Sequence, residues 1–170
     1  MAGGQEATRD EVAAEIVASR GGLGLPFELL LASPEVARRT ASLGEYLRFH
    51  SELAADLREL AILVTAHEQR CDFEWRQHRR LAVKAGTTEA AIEVVEHDDP
   101  SAPLERSGES VVIETARELL RAHRIPDALR ERVVSVVGDR GFLELAATIG
   151  YYSHLAIVMN AYQQLGDEAD

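Results

Sequence analysis

The sequence predicts an all-α protein with a single domain over residues 1–170, and three observations support this fold class. Only 5% of the residues are aromatic, and the abundant Ala, Leu, Glu and Arg favour helices over strands. Apolar residues recur at helical spacing along most of the chain, and no alternating strand pattern of useful length occurs. A length of 170 residues with 46% hydrophobic content suits one core.

The N-terminal part predicts two helices. Residues 1–8 are expected to be a flexible end, and a helix over Thr8–Arg20 stops at two glycines. Gly24-Leu25-Pro26 is predicted to be a connector. Ser33-Pro34-Glu35 has the N-cap serine and first-turn proline that are typical of a helix start, and this second helix runs towards His50. Its predicted buried side chains are Val36, Leu43, Tyr46 and Leu47.

The middle of the chain predicts a long apolar helical stretch. Helical spacing continues over Leu53–Arg70 and Cys71–Ala85, which together are long for a globular helix, so a break is expected near His67–Cys71. A short helix then begins at Thr88 and ends near Val95.

The C-terminal part predicts an exposed loop and three further helices. Residues 96–108 are acidic and contain two prolines, so they are expected to form a loop within the domain. The helices that follow are predicted at Glu109–His123, Pro126–Val137 and Gly141–Gln164.

The charge balance argues against several classes of partner. The chain has 29 acidic and 18 basic residues and a formal net charge of −11, whereas a nucleic-acid binder usually presents a basic face. No apolar stretch approaches the roughly 20 residues that cross a bilayer, and the start lacks the pattern of a secretory signal. We therefore expect a cytoplasmic protein that binds a small molecule, with no nucleic-acid partner and no membrane partner.

Four residues form the predicted catalytic site. Cys71, Glu74 and His78 are spaced three and four positions apart, which stacks them on one helix face. Glu59 lies on the preceding helix and would face the same spot after an antiparallel return. Histidine can take and give a proton near neutral pH, and paired carboxylates push one of the two to hold a proton. The pattern predicts a proton-transfer site.

Structural explanations compete with this interpretation. A lone cysteine is usually a small buried hydrophobe, and Glu74 with His78 is also an ordinary helix pair. His67 would extend the row to a possible zinc site, but the spacing matches no standard zinc motif, so no metal is expected. The basic cluster Arg70, Arg76, Arg79, Arg80 and Lys84 either attracts an anionic substrate or forms a solvated helix face. Candidate pocket residues are His50, His67, Trp75 and Tyr152.

The segment from Arg58-Glu59-Leu60 to Cys71-Asp72-Phe73-Glu74-Trp75-Arg76-Gln77-His78 resembles the signature of the carboxymuconolactone decarboxylase-like and alkylhydroperoxidase D-like superfamily. The peroxidase branch has a Glu, eleven residues, Cys-x-x-Cys, three residues and a His, and the spacing is kept here. Further similarity is seen at Leu25-Pro26-Phe27, Ser33-Pro34-Glu35, Leu47-Arg48-Phe49-His50-Ser51, Glu144-Leu145-Ala146, Ile149-Gly150-Tyr151-Tyr152 and Asn160.

The resemblance implies an alkylhydroperoxidase D-like helical bundle that forms homo-oligomers such as dimers, trimers or hexamers. It also implies two copies of a helical unit, because Glu59-Leu60-Ala61 is echoed 85 residues later by Glu144-Leu145-Ala146. In that second, degenerate copy Ala156, Met159 and Gln163 stand where Cys71, Glu74 and His78 stand in the first.

The departure from the peroxidase pattern shapes the functional expectation. Glu74 replaces the second cysteine, and Cys71 is the sole cysteine of the chain, so the dithiol cycle of that branch cannot run. Our first hypothesis is an acid/base enzyme without a cofactor that acts on a small organic acid or lactone through Glu59, Glu74 and His78. The second is a one-cysteine hydroperoxidase in which Cys71 attacks peroxide. The third is a non-catalytic helical oligomer that binds a ligand.

Overall fold

The computed structural model describes residues 7–99, 104 and 106–162. Within those residues the chain forms eight helices and no strand, which confirms the all-α prediction. The helices are α1 (Arg9–Arg20), α2 (Leu25–Leu30), α3 (Pro34–Phe49), α4 (Ala55–Glu68), α5 (Asp72–Ala85), α6 (Glu89–Glu96), α7 (Ser107–Arg121) and α8 (Asp127–Ala161). They divide into two compact units, Met1–His50 and Ser51–Asp170.

The first unit consists of α1, α2 and α3, with α1 and α2 each packed against α3. Helix α1 begins with a capping box, in which the Thr8 side chain and the Glu11 side chain each bond the other residue's backbone N–H, so two otherwise unpaired donors are satisfied. It ends at Gly21, whose φ of 77° is a left-handed conformation that glycine adopts without strain. The predicted start and stop of this helix are therefore confirmed.

Two predictions for the first unit are wrong. The predicted connector is in part helical, because α2 begins at Leu25 and has Pro26 in its first turn, where the missing N–H is tolerated. On α3 the side chains of Val36, Leu43 and Tyr46 are exposed, while Leu47 is buried as predicted. The helix instead buries a face that also includes Ala37, Thr40, Ala41 and Gly44, since small side chains let a neighbouring helix approach closely.

The second unit is built around α4, which packs against α5, α6, α7 and α8. Eight consecutive α4 residues, from Glu59 to Ala66, are buried. A helix that is apolar on all sides has no solvent face and must lie in the core. Here that apolar sequence nevertheless contains an acidic side chain, Glu59, so the central helix carries a carboxylate into the core.

The predicted division of the C-terminal region into two helices is confirmed by a break inside α8. Gly138 has φ 75° and ψ 170°, a region of backbone space that is essentially limited to glycine. By length and composition α8 could cross a membrane, and half of its most apolar window is buried inside the fold. The core helix of a soluble protein meets the same criteria.

A buried carboxylate also fixes one connection of the second unit. Glu109 on α7 accepts hydrogen bonds from the backbone N–H and the hydroxyl of Thr88, both at 2.8 Å, and Thr88 is the N-cap of α6. Residues 1–6, 100–103 and 105 of the predicted flexible end and acidic loop lie outside the described residues, as does the end of the last predicted helix beyond Tyr162.

Candidate functional site

A sharp reversal between α4 and α5 creates the site. Helix α4 ends at Glu68 and α5 begins at Asp72, so the predicted break is confirmed. Arg70 adopts a left-handed φ of 52°, and the Cys71 N–H donates to the Ala66 carbonyl at 2.9 Å. From α8, Asn160 Nδ2 donates to the Gln69 carbonyl at 2.8 Å. Asn160 thereby holds the turn that brings α5 back along α4.

The reversal places His78 between two buried carboxylates. His78 Nδ1 lies 2.7 Å from Glu59 Oε2 on α4, and His78 Nε2 lies 3.2 Å from Glu74 Oε2 one turn earlier on α5. Glu59, Glu74 and His78 are only 5%, 4% and 6% exposed. Both ring nitrogens thus face a carboxylate oxygen, and a chain of groups that can exchange protons runs from α4 to α5.

The carboxylates change the acid strength of the imidazole. Burial by itself lowers the pKa of His78, but the hydrogen bonds and negative charges of Glu59 and Glu74 outweigh that effect and raise the pKa above its ordinary value. A nearby anion stabilises the protonated ring. Because the three groups interact closely, their protons belong to the cluster rather than to single residues.

Arg58 lies beside this cluster and was missed among the sequence-based candidates. Its Nε is 3.9 Å from Glu59 Oε1, and its side chain is 14% exposed. That Nε atom is buried and has no hydrogen-bond partner in the part of the chain that the structure describes. The available signal was a cation next to Glu59 at the start of the long apolar run of α4, a position at which arginine is costly unless it is paired.

Cys71 is the N-cap of α5 rather than a residue inside that helix, and it is buried. Burial raises the pKa of the thiol, and the charges of Glu74 and Asp72 add to that effect. Hydrogen bonds from the backbone N–H groups of Glu74 and Phe73 oppose it without cancelling it. A raised pKa means less thiolate, which is the reactive form of cysteine.

The predicted pocket residues have different surroundings. The Tyr152 ring on α8 meets the His78 ring edge to face, with centroids 4.9 Å apart. Trp75 packs against the core and contacts the His67 ring at a centroid distance of 6.0 Å. Because α4 has ended before Cys71, His67 does not continue a helical row with Glu74 and His78. His50 is the C-cap of α3 in the first unit.

Four residues of the predicted basic cluster lie on the outer side of α5, and the fifth, Arg70, lies in the turn before this helix. Arg70, Arg76, Arg80 and Lys84 are exposed, and Arg79 pairs with Glu89 at 2.5 Å. The buried residues of α5 are Glu74, His78 and Ala82, so the cationic side chains are on the opposite face. Among the described residues no group of three or more His, Cys, Asp or Glu side chains is placed to hold a metal ion.

Glu144, the residue that echoes Glu59, is also buried but bonds to different groups. Its Oε2 accepts the Glu52 backbone N–H at 2.7 Å, and its Oε1 accepts from Arg140 Nε at 3.1 Å. Ala156 and Met159 are buried, and Gln163 lies outside the described residues. The two glutamates therefore share burial on a core helix and differ in chemistry.

The family model described as "Carboxymuconolactone decarboxylase family" matches residues 34–105. The predicted family resemblance is confirmed. The matched segment contains Glu59, Cys71, Glu74 and His78, so the carboxylate–imidazole cluster lies within the carboxymuconolactone decarboxylase-like part of the chain. No curated protein matches the chain in sequence.

Proposed function

We propose that the protein is an enzyme of acid/base type that acts on a small organic acid or lactone without a cofactor. The observation that carries this proposal is the buried Glu59–His78–Glu74 arrangement, with ring-to-carboxylate distances of 2.7 and 3.2 Å. Burying three ionisable side chains at one spot is costly even when they are paired, so their presence suggests a functional role rather than a stabilising one. A buried titratable group whose pKa is shifted by specific charged neighbours, as that of His78 is raised by Glu59 and Glu74, is typical of catalytic sites.

The geometry suits reversible proton transfer. Glu59 uses Oε2 for His78, which leaves Oε1 for a substrate. When Glu59 takes a proton from a substrate carbon, it loses the negative charge that helps to stabilise the imidazolium, so the Nε2 proton of His78 passes to Glu74. The reverse sequence returns the proton. Isomerisation and decarboxylation both need a proton that is removed or supplied at carbon.

The structural observations favour this function over a one-cysteine hydroperoxidase. A peroxidatic thiol needs a lowered pKa, whereas the pKa of Cys71 is raised. Both ring nitrogens of His78 are engaged by carboxylates, which leaves neither of them to activate the thiol. Cys71 then acts as a small apolar group at the start of α5.

The test is a screen of lactones and small keto acids with the wild type and four variants. We expect His78→Ala, Glu59→Gln and Glu74→Gln to lower kcat/KM by about 10²–10⁴, the usual contribution of a general acid or base. His97→Ala, which changes an exposed imidazole, should leave turnover unchanged. Near-normal turnover by His78→Ala would refute the proposal.

We also propose that the chain forms a homo-oligomer through the outer face of α8. Leu143 and Ile157 are 69% and 58% exposed, and Gly150 is exposed midway between them, so the three lie along one face at heptad spacing. Residues 145–162 contain no Asp, Glu, Lys or Arg. Two copies that each carry a net charge of −11 repel one another least where neither presents a charge.

Light scattering after size-exclusion chromatography tests the assembly. We expect the mass of the wild type to exceed the monomer mass of 18.7 kDa, and the double variant Leu143→Asp/Ile157→Asp to have the monomer mass. The matched control is Val83→Asp, which changes an exposed apolar residue of α5 and should leave the mass unchanged. A monomeric wild type at micromolar concentration would contradict the assembly.

A further inference from the structure

Arg58 is a largely buried cation that makes no side-chain hydrogen bond to the residues that the structure describes. Its Nε is buried without a partner, and its one charged contact is Glu59 Oε1 at 3.9 Å, which is too long for a hydrogen bond. A guanidinium has five N–H donors. Leaving the buried Nε–H donor unsatisfied is costly, so a group that is not in the structure is expected to bind this guanidinium.

Other arginines of the second unit show how the fold treats this side chain elsewhere. Arg117 donates to the Val94 carbonyl at 3.0 Å and pairs with Asp98 at 2.8 Å. Arg121, which is far more exposed than Arg58, bonds Glu68 and Asp98. Each of these two guanidinium groups makes hydrogen bonds to described residues, although the Arg117 Nε is itself buried without a partner among them. The Arg58 guanidinium makes no hydrogen bond to the described residues, and it lies beside the proposed proton-transfer cluster.

We propose that Arg58 binds the carboxylate of the substrate and holds it against Oε1 of Glu59, so that the site takes small organic anions. This inference rests on the proposed acid/base function and narrows its substrate class. A guanidinium binds a carboxylate through two parallel hydrogen bonds, which fixes both the position and the orientation of the bound anion. The carbon next to the bound carboxylate then lies at the oxygen of Glu59 that His78 does not use.

A site that takes anions in this protein needs a local cation. With a net charge of −11, the protein repels anions at most of its surface. A neutral lactone or a hydroperoxide needs no cation at the site, whereas an acid must gain enough from a local cation to offset that repulsion. Arg58 is placed to supply it next to Glu59.

The experiment measures the binding of succinate, with its uncharged diamide, succinamide, as the matched neutral probe. Binding is followed through the ring resonances of His78 in ¹⁵N-histidine-labelled protein at low ionic strength, because salt screens such contacts. We expect succinate to shift these resonances in a saturable way and succinamide to have no effect. Arg58→Met should weaken succinate binding at least tenfold, and Arg58→Lys should weaken it less.

Two controls separate binding from folding. Arg132→Met removes an exposed arginine that is paired with Glu114 and should leave succinate binding unchanged. Arg58→Met should melt at the same or a higher temperature than the wild type, because it removes a largely buried charge whose 3.9 Å contact with Glu59 is too long for a hydrogen bond. If Arg58 had only a structural role, Arg58→Met would instead have a lower melting temperature than the wild type. Succinate and succinamide would then have the same effect on the His78 resonances.

The proposal is overturned if succinate leaves the His78 resonances of the wild type unchanged, or if Arg58→Met binds succinate as tightly as the wild type. Once a substrate is found, Arg58→Met should raise KM more than it lowers kcat. The proposed acid/base function is tested by a different measurement, and turnover that survives in His78→Ala would refute it. Binding of succinate through Arg58 does not depend on that result.

Discussion

His78 Nδ1 and Glu59 Oε2 lie 2.7 Å apart, although the two residues are nineteen positions apart and belong to different helices. Helix α4 carries the carboxylate through the middle of the core, and the reversal before α5 brings the imidazole to it. Glu74 completes the cluster from within α5. The contact therefore depends on how the two helices pack, and the first predictions concern the charge state that this packing imposes.

His78 should titrate above the ordinary histidine value of about 6.5. Glu59 and Glu74 stabilise the imidazolium and raise its pKa against the opposing effect of burial. We expect NMR titration of the ring to show a raised pKa, and Glu59→Gln and Glu74→Gln each to lower it. Assignment by loss of the signal in His78→Gln is the control. A ring that titrates at or below the ordinary value would contradict the electrostatic description.

The free energy of unfolding should depend on pH through His78. Because its pKa is raised in the folded state, the stabilisation is fully present below the unfolded-state pKa and is lost as pH rises through the folded-state pKa. Urea unfolding should be measured for the wild type and His78→Gln from about pH 5.5 to pH 9. The difference between their free energies of unfolding should shrink as the pH rises. A difference that stays constant or grows over this range would rule the linkage out.

Substitution of Glu144 should affect mainly the stability of the protein, and substitution of Glu59 should affect mainly its activity. Glu144 accepts a hydrogen bond from the Glu52 backbone N–H and another from Arg140, so Glu144→Gln should lower the free energy of unfolding by about 1–3 kcal/mol. It should leave kcat per folded molecule unchanged, whereas Glu59→Gln should remove most turnover. Loss of turnover in folded Glu144→Gln would show that the second glutamate also takes part in the reaction.

Cys71→Ala should keep turnover within a few-fold of the wild type. The thiol is buried and its pKa is raised, so little thiolate forms at neutral pH. Mass spectrometry after stoichiometric hydroperoxide and a sulfenic-acid trap should show slow modification that is unaffected by His78→Ala. Fast trapping that depends on His78 would instead favour the peroxidase function.

Gly138 should be harder to replace than a glycine at an ordinary helix end. Its φ of 75° and ψ of 170° lie in a region that costs other residues about 1–3 kcal/mol. Gly86, with φ 97° and ψ 14°, is in left-handed space that asparagine tolerates. A Cβ atom at either position would meet no atom of the described residues within 4 Å. Gly138→Asn should therefore lower the melting temperature more than Gly86→Asn, and equal effects would contradict the backbone explanation.

Local sequence rules predicted much of the helical framework because caps and breaks depend on neighbouring residues. Thr8 with Glu11 starts α1, and the glycines at 21 and 86 end α1 and α5. The same rules failed for the face of α3. There the contact uses Ala37, Ala41 and Gly44 rather than the larger Val36 and Leu43, because close approach of helices depends on the partner and not on hydrophobicity alone.

The sequence by itself determined the all-α class, the break between α4 and α5 and the family resemblance, since these rest on helix propensity, capping and the spacing of a few residues. Only the tertiary structure decided which atoms of Glu59, His78 and Glu74 face each other, and that the pKa of Cys71 is raised. It alone revealed that the Arg58 Nε is buried without a hydrogen-bond partner among the described residues. Distances, burial and electric fields arise from segments that are far apart in the chain, so no local pattern contains them.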